Sequence, residues 1–178
     1  MHHFDAAYEM LHGLSSRYEA ECEFLRSVAP IISHRRKDAD LEKVHSEIVI
    51  NCERFGLHKT SLIMLCTLSC LYERNDGEEP LIGRKIIKPT DSYSYEDAHN
   101  AISDLRALEM LAAINGLNIG CVAFCTRDKH LAALWCGLNI SSPKWLDSQF
   151  TCSIEPDVSL FPRLSETDVA ELVQELND

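Results

Sequence analysis

The sequence predicts an α/β domain, with a helix-rich N-terminal half and a small, mainly parallel sheet in the C-terminal half. Three observations carry that expectation. Apolar residues before residue 75 recur at helical spacing. The run from Ile119 to Cys125 is short, apolar and rich in β-formers, and Gly116 and Gly120 set it off from what precedes it, the signature of a buried strand. Directly after it, Leu131, Ala132, Leu134 and Trp135 return to helical spacing. A length of 178 residues suits a single domain, 1–178, with a helical portion over 1–75 and an α/β portion over 81–178.

The first helix is expected from the N-terminus to about Val28, on the spacing of Phe4, Ala7, Tyr8, Leu11 and Leu14. Gly13 and Ser15-Ser16 are candidate breaks in it, and Pro30 with the basic His34–Lys37 turn ends it. A second helix opens at Asp38, whose acidic first turn suits the helix dipole, and Gly56 stops it. Leu41, Val44, Ile48 and Cys52 form its apolar stripe. Thr60 to Tyr72 is apolar enough to be a central helix, and Asn75 to Pro80 is a loop. Leu81 to Lys88 fits a short strand. A fourth helix is expected from Ser94 or Tyr95 to about Asn115, stopped by Gly116. Thr126-Arg127-Asp128 supplies cap chemistry for the helix that ends at Gly137. Residues 143–157 read as irregular with one strand near 150–154, and Ser165 caps a last amphipathic helix, Glu166 to Leu176.

The net charge of −11 argues against a broad nucleic-acid surface, although a local phosphate site stays compatible with it. The basic clusters His34–Lys37 and Arg84-Lys85 read as solvated. Eight cysteines include no Cys-x-x-Cys pair, so they are expected to be free thiols packed as small hydrophobes, Cys125 among them. The polar N-terminus has no secretory pattern, and the run Ser61–Leu71 is too short to span a bilayer, so a cytoplasmic protein without membrane contact is expected. No Gly-rich phosphate loop, His-Glu-x-x-His or Gly-x-Ser-x-Gly occurs, which removes the common nucleotide hydrolase, zinc protease and serine hydrolase readings.

Chemistry concentrates on two elements. On the fourth helix Asp97, Asn100 and Asp104 share a stripe bordering the apolar face. If that helix packs beside the 119–125 strand, Asp104 or Asp97 approaches Asp128. Convergent carboxylates make a hard-oxygen site for Mg²⁺ or Mn²⁺, which activates water and neutralises a phosphodiester. Thr126, Arg127, His130 and Asn100 are then the candidate substrate contacts. The competing account makes the stripe a solvated face and Asp128 a helix cap.

Ser103-Asp-Leu-Arg-Ala-Leu-Glu-Met-Leu, followed by Val122-Ala-Phe-Cys-Thr-Arg-Asp-Lys-His-Leu-Ala-Ala-Leu, resembles the C-terminal half of a PIN-type nuclease domain. The resemblance implies a divalent-metal-dependent ribonuclease in which Asp104 is the helix acid and Asp128 the acid after the strand. Asp97 competes for the first role, and Glu47 on the second helix matches the mid-domain acid by position. The usual N-terminal strand ending in Asp-Thr-Asn is missing. That departure keeps open an inactive PIN-like or helical protein that binds a protein partner, or a second copy of itself, instead of RNA.

Overall fold

The computed structural model describes residues 3–74, 81–118, 120, 122–146 and 149–177. Helices dominate: α1 (His3–Ile32), α2 (Asp38–Arg54), α3 (Leu62–Leu71), α4 (Ile82–Ile87), α5 (Tyr95–Gly116), α6 (Lys129–Gly137) and α7 (Glu166–Asn177). Strands β1 (Ser141–Leu146) and β2 (Gln149–Ser153) pair antiparallel, with Trp145 opposite Phe150 and Lys144 opposite Thr151. Helices and a sheet are both present, but the sheet among the described residues has two antiparallel strands, not the parallel arrangement expected.

α3 is the hub. All ten of its residues are buried, from Leu62 to Leu71, so no face of it is left for solvent. A helix apolar all round belongs inside a bundle, and α3 packs against α1, α2, α4 and α5. Ser61 caps it, its hydroxyl accepting from the Met64 N–H. One hydrophobic cluster unites side chains of these seven helices, Phe24, Ile48, Met64, Ile87, Leu108, Leu134 and Leu172 among them, with Phe161 from the segment before α7.

α1 is longer than expected. It runs unbroken past Gly13 and through Pro30 to Ile32. Ser16 Oγ donates to Gly13 O (3.0 Å) and Ser33 Oγ to Pro30 O (2.8 Å), while the Arg36 side chain donates to Ile31 O. At the C-terminal end, the Ser33 and Arg36 side chains thus serve carbonyls that the helix leaves without partners.

The segment expected as a strand, 81–88, is α4. Its isoleucines suit either state, and Gly83 decides. A Cβ there would lie 2.5 Å from both Cys66 O and Cys70 N, so the α4 backbone rests on the α3 backbone. Lys88 ends α4 with φ 52° and is followed by Pro89, a sharp exit.

The strand expected over 119–125 is not formed by its described residues either. Residues 122–126 carry no regular secondary structure, with Val122 38% and Phe124 42% exposed; Ile119 and Cys121 lie outside the described residues. A strand needs a partner for its backbone groups. The other apolar segment expected as a strand is α4, and Val122 exchanges two 3.3 Å hydrogen bonds with the Asn115 side-chain amide. Cys125, expected to be packed, is exposed.

α5 begins as expected, with Ser94 and Asp97 forming a capping box. Near its other end, Trp145 Nε1 donates to Ala113 O (2.9 Å), which seats β1 on the helix. Ser165 and Asp168 cap α7 reciprocally. Cys22, Cys52, Cys66 and Cys70 are buried free thiols, and burial pushes Cys52 up to about 11 and Cys70 to about 12. No described helix is long and apolar enough to cross a membrane.

Candidate functional site

The first two carboxylates to consider, Asp104 and Asp128, stand on helices that pack against each other, and the charge of Asp128 acts on Asp104. Asp104 lies midway along α5, half-buried, and Asp128 is the N-cap of α6. Burial first, and the charge of Asp128 second, push the Asp104 carboxyl above its usual range, while Lys88 pulls it back. Charges on three mutually packed elements therefore act on Asp104: the left-handed end of α4, the middle of α5 and the start of α6.

Asp128 is held by its cap. Its Oδ1 accepts from the N–H groups of His130 (2.8 Å) and Leu131 (3.1 Å). Thr126 Oγ1 accepts from the Asp128 N–H at 3.0 Å, fixing the turn. Burial tends to raise the Asp128 carboxyl, but the two backbone donors and the neighbouring His130 outweigh it, so the net shift is downward. His130 Nδ1 stands 3.4 Å from the same oxygen. Asp128 Oδ2 takes part in none of these bonds. The cap and the metal-ligand accounts of Asp128 are thus compatible, because they use different oxygens.

Of the other sequence candidates, Asp97 is engaged elsewhere. Asp97 is exposed and spent in the capping box, accepting from Ser94 N (2.9 Å) and Ser94 Oγ (2.6 Å); those bonds hold its carboxyl below the usual range. Asn100 and Glu47 are exposed on α5 and α2, and Arg127 is exposed beside Asp128. Among the described residues no group of three His, Cys, Asp or Glu side chains is placed to hold a metal. Lys88 was not anticipated, because its approach depends on 81–88 being helical.

Asp104 also makes a test of the electrostatics. Its folded-state carboxyl binds a proton more tightly than the unfolded one, so the ionised form opposes folding and the penalty fades as pH falls through the raised value. Asp104→Asn is therefore expected to melt at a higher temperature than wild type at pH 7 in metal-free buffer. The gap should close below about pH 4, where unperturbed carboxyls protonate. Melting curves followed by circular dichroism check this; a lower melting temperature for the variant at pH 7 would contradict the burial account.

A separate cleft of about 840 Å³ lies between α1, the start of α3, the second half of α5 and the two strands. Leu14, Ala113, Trp145 and Phe150 line it, with Arg17 and Glu109 paired at 3.1 Å on its wall. Burial pushes the Glu109 carboxyl up, against the pull of Arg17. Nothing in the sequence marked this cleft, since its walls come from segments up to about 140 residues apart. No family model, curated protein or solved structure matches the chain.

Proposed function

We propose that Asp104 and Asp128 are the acids of a divalent-cation site and that the chain is a PIN-like, metal-dependent ribonuclease. What supports this is that α5 and α6 pack together and that the charge of Asp128 raises the half-buried Asp104. A second carboxylate acting on the half-buried Asp104 is a repulsion that a cation relieves. The donor set suits Mg²⁺ or Mn²⁺, because Mg²⁺ is commonly bound through one or two carboxylates and keeps several waters. Such an ion supplies Lewis acidity and a more acidic water for phosphodiester hydrolysis.

The chain's own residues divide the remaining work. Asp104 and the free Oδ2 of Asp128 are the ligands, and the α6 cap keeps Asp128 in position. Thr126 sets the turn. Arg127 and His130, one on each side of Asp128 in sequence, are the phosphate contacts; Lys88 tempers the negative charge. A cytoplasmic setting belongs to the same proposal, since reducing compartments keep thiols such as the exposed Cys125 and Cys136 free.

Titration calorimetry with Mn²⁺ tests the reading. Wild type is expected to bind, and Asp104→Asn and Asp128→Asn each to lose about 10- to 100-fold in affinity, the loss typical when a metal site loses one supporting group. Absence of binding by wild type rejects the metal site. In that event a second reading takes over, a catalytically inactive module that binds a protein partner or a second copy of the chain. What favours it is the 840 Å³ cleft, in the usual volume range of binding pockets and walled partly by apolar side chains.

A further inference from the structure

The 840 Å³ cleft between α1, α5 and the two strands has a wall that is already built. Trp145 and Phe150 are paired across the β1–β2 ladder, their ring centroids 5.7 Å apart, and both are half-buried. The Trp145 ring is fixed to α5 by its 2.9 Å hydrogen bond to Ala113 O. Gly116 lets the strands lie on that helix, because a Cβ there would come within 3.1 Å of the Phe150 ring and 3.2 Å of Lys144 N. A ligand therefore meets aromatic surface whose ordering precedes its arrival.

Charge then selects the ligand. The acids and strong bases on the lining are Glu9, Glu109 and Arg17. Arg17 is shared by two carboxylates, Glu109 at 3.1 Å and Glu21 at 3.8 Å, so a ligand carboxylate would compete with both for it. Glu109 is differently placed. Its Oε2 holds Arg17, whereas its Oε1 accepts no hydrogen bond from a described residue, and 22% of the side chain is exposed. Burial raises its carboxyl despite Arg17, so a further cation relieves it. The hydroxyls of the lining are engaged locally: Ser16 Oγ donates to Gly13 O, Ser61 Oγ accepts from the Met64 N–H, and Thr60 Oγ1 bonds His58 Nδ1 at 2.6 Å. Spacing sets the ligand's length. Glu109 and Ala113 are four apart on α5, which puts them about 5–6 Å from each other on one face, and Ala113 carries the Trp145 ring.

We propose that this cleft binds a small arylalkylamine, its flat ring against Trp145 and Phe150 and its ammonium donating to Glu109 Oε1. A linker of about two or three carbons between ring and nitrogen spans the helical turn from Ala113 to Glu109. The site uses none of the residues of the nuclease reading, and its occupant is a small molecule instead of a protein partner.

The test is a nuclear magnetic resonance titration of the isotope-labelled full chain near neutral pH in about 0.15 M salt, where weak surface attraction is screened. The probes are phenethylamine, the uncharged phenethyl alcohol and the anionic hydrocinnamate. Phenethylamine is expected to shift the Trp145 indole N–H signal saturably, with a dissociation constant on the order of 1 mM or tighter for so small a ligand. The alcohol should bind about tenfold more weakly, the effect of losing a charge-assisted hydrogen bond, and hydrocinnamate more weakly still. Glu109→Gln, which keeps the shape and removes the charge, should bind the amine about tenfold more weakly than wild type. If that variant fails to fold, the ranking of the three probes on wild type carries the test. No saturable shift with the amine, equal affinity for the alcohol or the carboxylate, or an amine affinity unchanged in Glu109→Gln overturns the assignment. A shift of the same signal on dilution of the free chain overturns it too, by giving the cleft to a second copy.

Discussion

Replacing Glu73 by alanine is expected to cost about 3–5 kcal/mol, the range for breaking a buried ion pair by removing one partner. Glu73 Oε1 accepts from Arg84 Nε and lies 3.4 Å from Arg35 Nε. Arg84 spends its other nitrogens on Ser33 O and Ile32 O, both at 2.9 Å, so one side chain ties the end of α1 to α4 with Glu73 behind it. The carboxylate is 4% exposed and the guanidinium 19%. Without Glu73 that guanidinium keeps its burial and loses its counter-charge. Urea denaturation should show the loss, and Glu73→Gln, which retains an acceptor of the same shape, should lose less. In a double-mutant cycle with Arg84→Met, the two single losses should sum to more than the double variant's loss. A Glu73→Ala penalty below about 1 kcal/mol would place this pair with ordinary surface ion pairs.

Gly83→Ala should destabilise the protein by about 3 kcal/mol, toward the upper end of what forced overpacking costs. Helix propensity alone argues the opposite sign, since alanine is favoured over glycine inside a helix by about 1 kcal/mol. The contact decides. A methyl group at Gly83 would sit 2.5 Å from Cys66 O and Cys70 N, the acceptor and donor positions of one α3 turn, and neither is the end of a flexible side chain. α4 would have to lift away from the central helix. Gly13→Ala is the matched control: Gly13 is inside α1 with nothing within 4 Å of an added Cβ, so it should gain about 0.5–1 kcal/mol. Equal responses of the two glycines in urea denaturation would show that propensity, not the α3–α4 approach, governs both.

Asp104 shows how far the candidate site was readable. Its place beside an apolar stripe is a matter of helical periodicity, visible in Ala101, Ile102, Leu105 and Leu108. The turn Thr126-Arg127-Asp128 carries its cap chemistry within three residues. What periodicity does not reveal is that the charge of Lys88 acts on Asp104 or that Asp97 is consumed by Ser94. His34–Lys37 and Arg84 illustrate the opposite failure. They look like solvated charge in the sequence, yet Arg84 is drawn inside by Glu73, and Arg35 and Arg36 line a cleft.

The sequence by itself determined the helices whose signals are local. Ser61, the Ser94–Asp97 box, Asp128 and Ser165 place helix starts through hydrogen bonds that reach two or three residues, and the unrelieved apolar run of α3 requires a central position. Only the tertiary structure decided the state of 81–88 and 122–126. Both are short apolar segments compatible with strand or helix. The first becomes α4 because Gly83 lets two backbones touch, and the second is left without a described strand to pair with. The charged clusters follow the same rule: which guanidinium meets which carboxylate depends on partners 11 to 125 residues away, as for Arg84 with Glu73 and Arg163 with Asp38, and no local pattern encodes that distance.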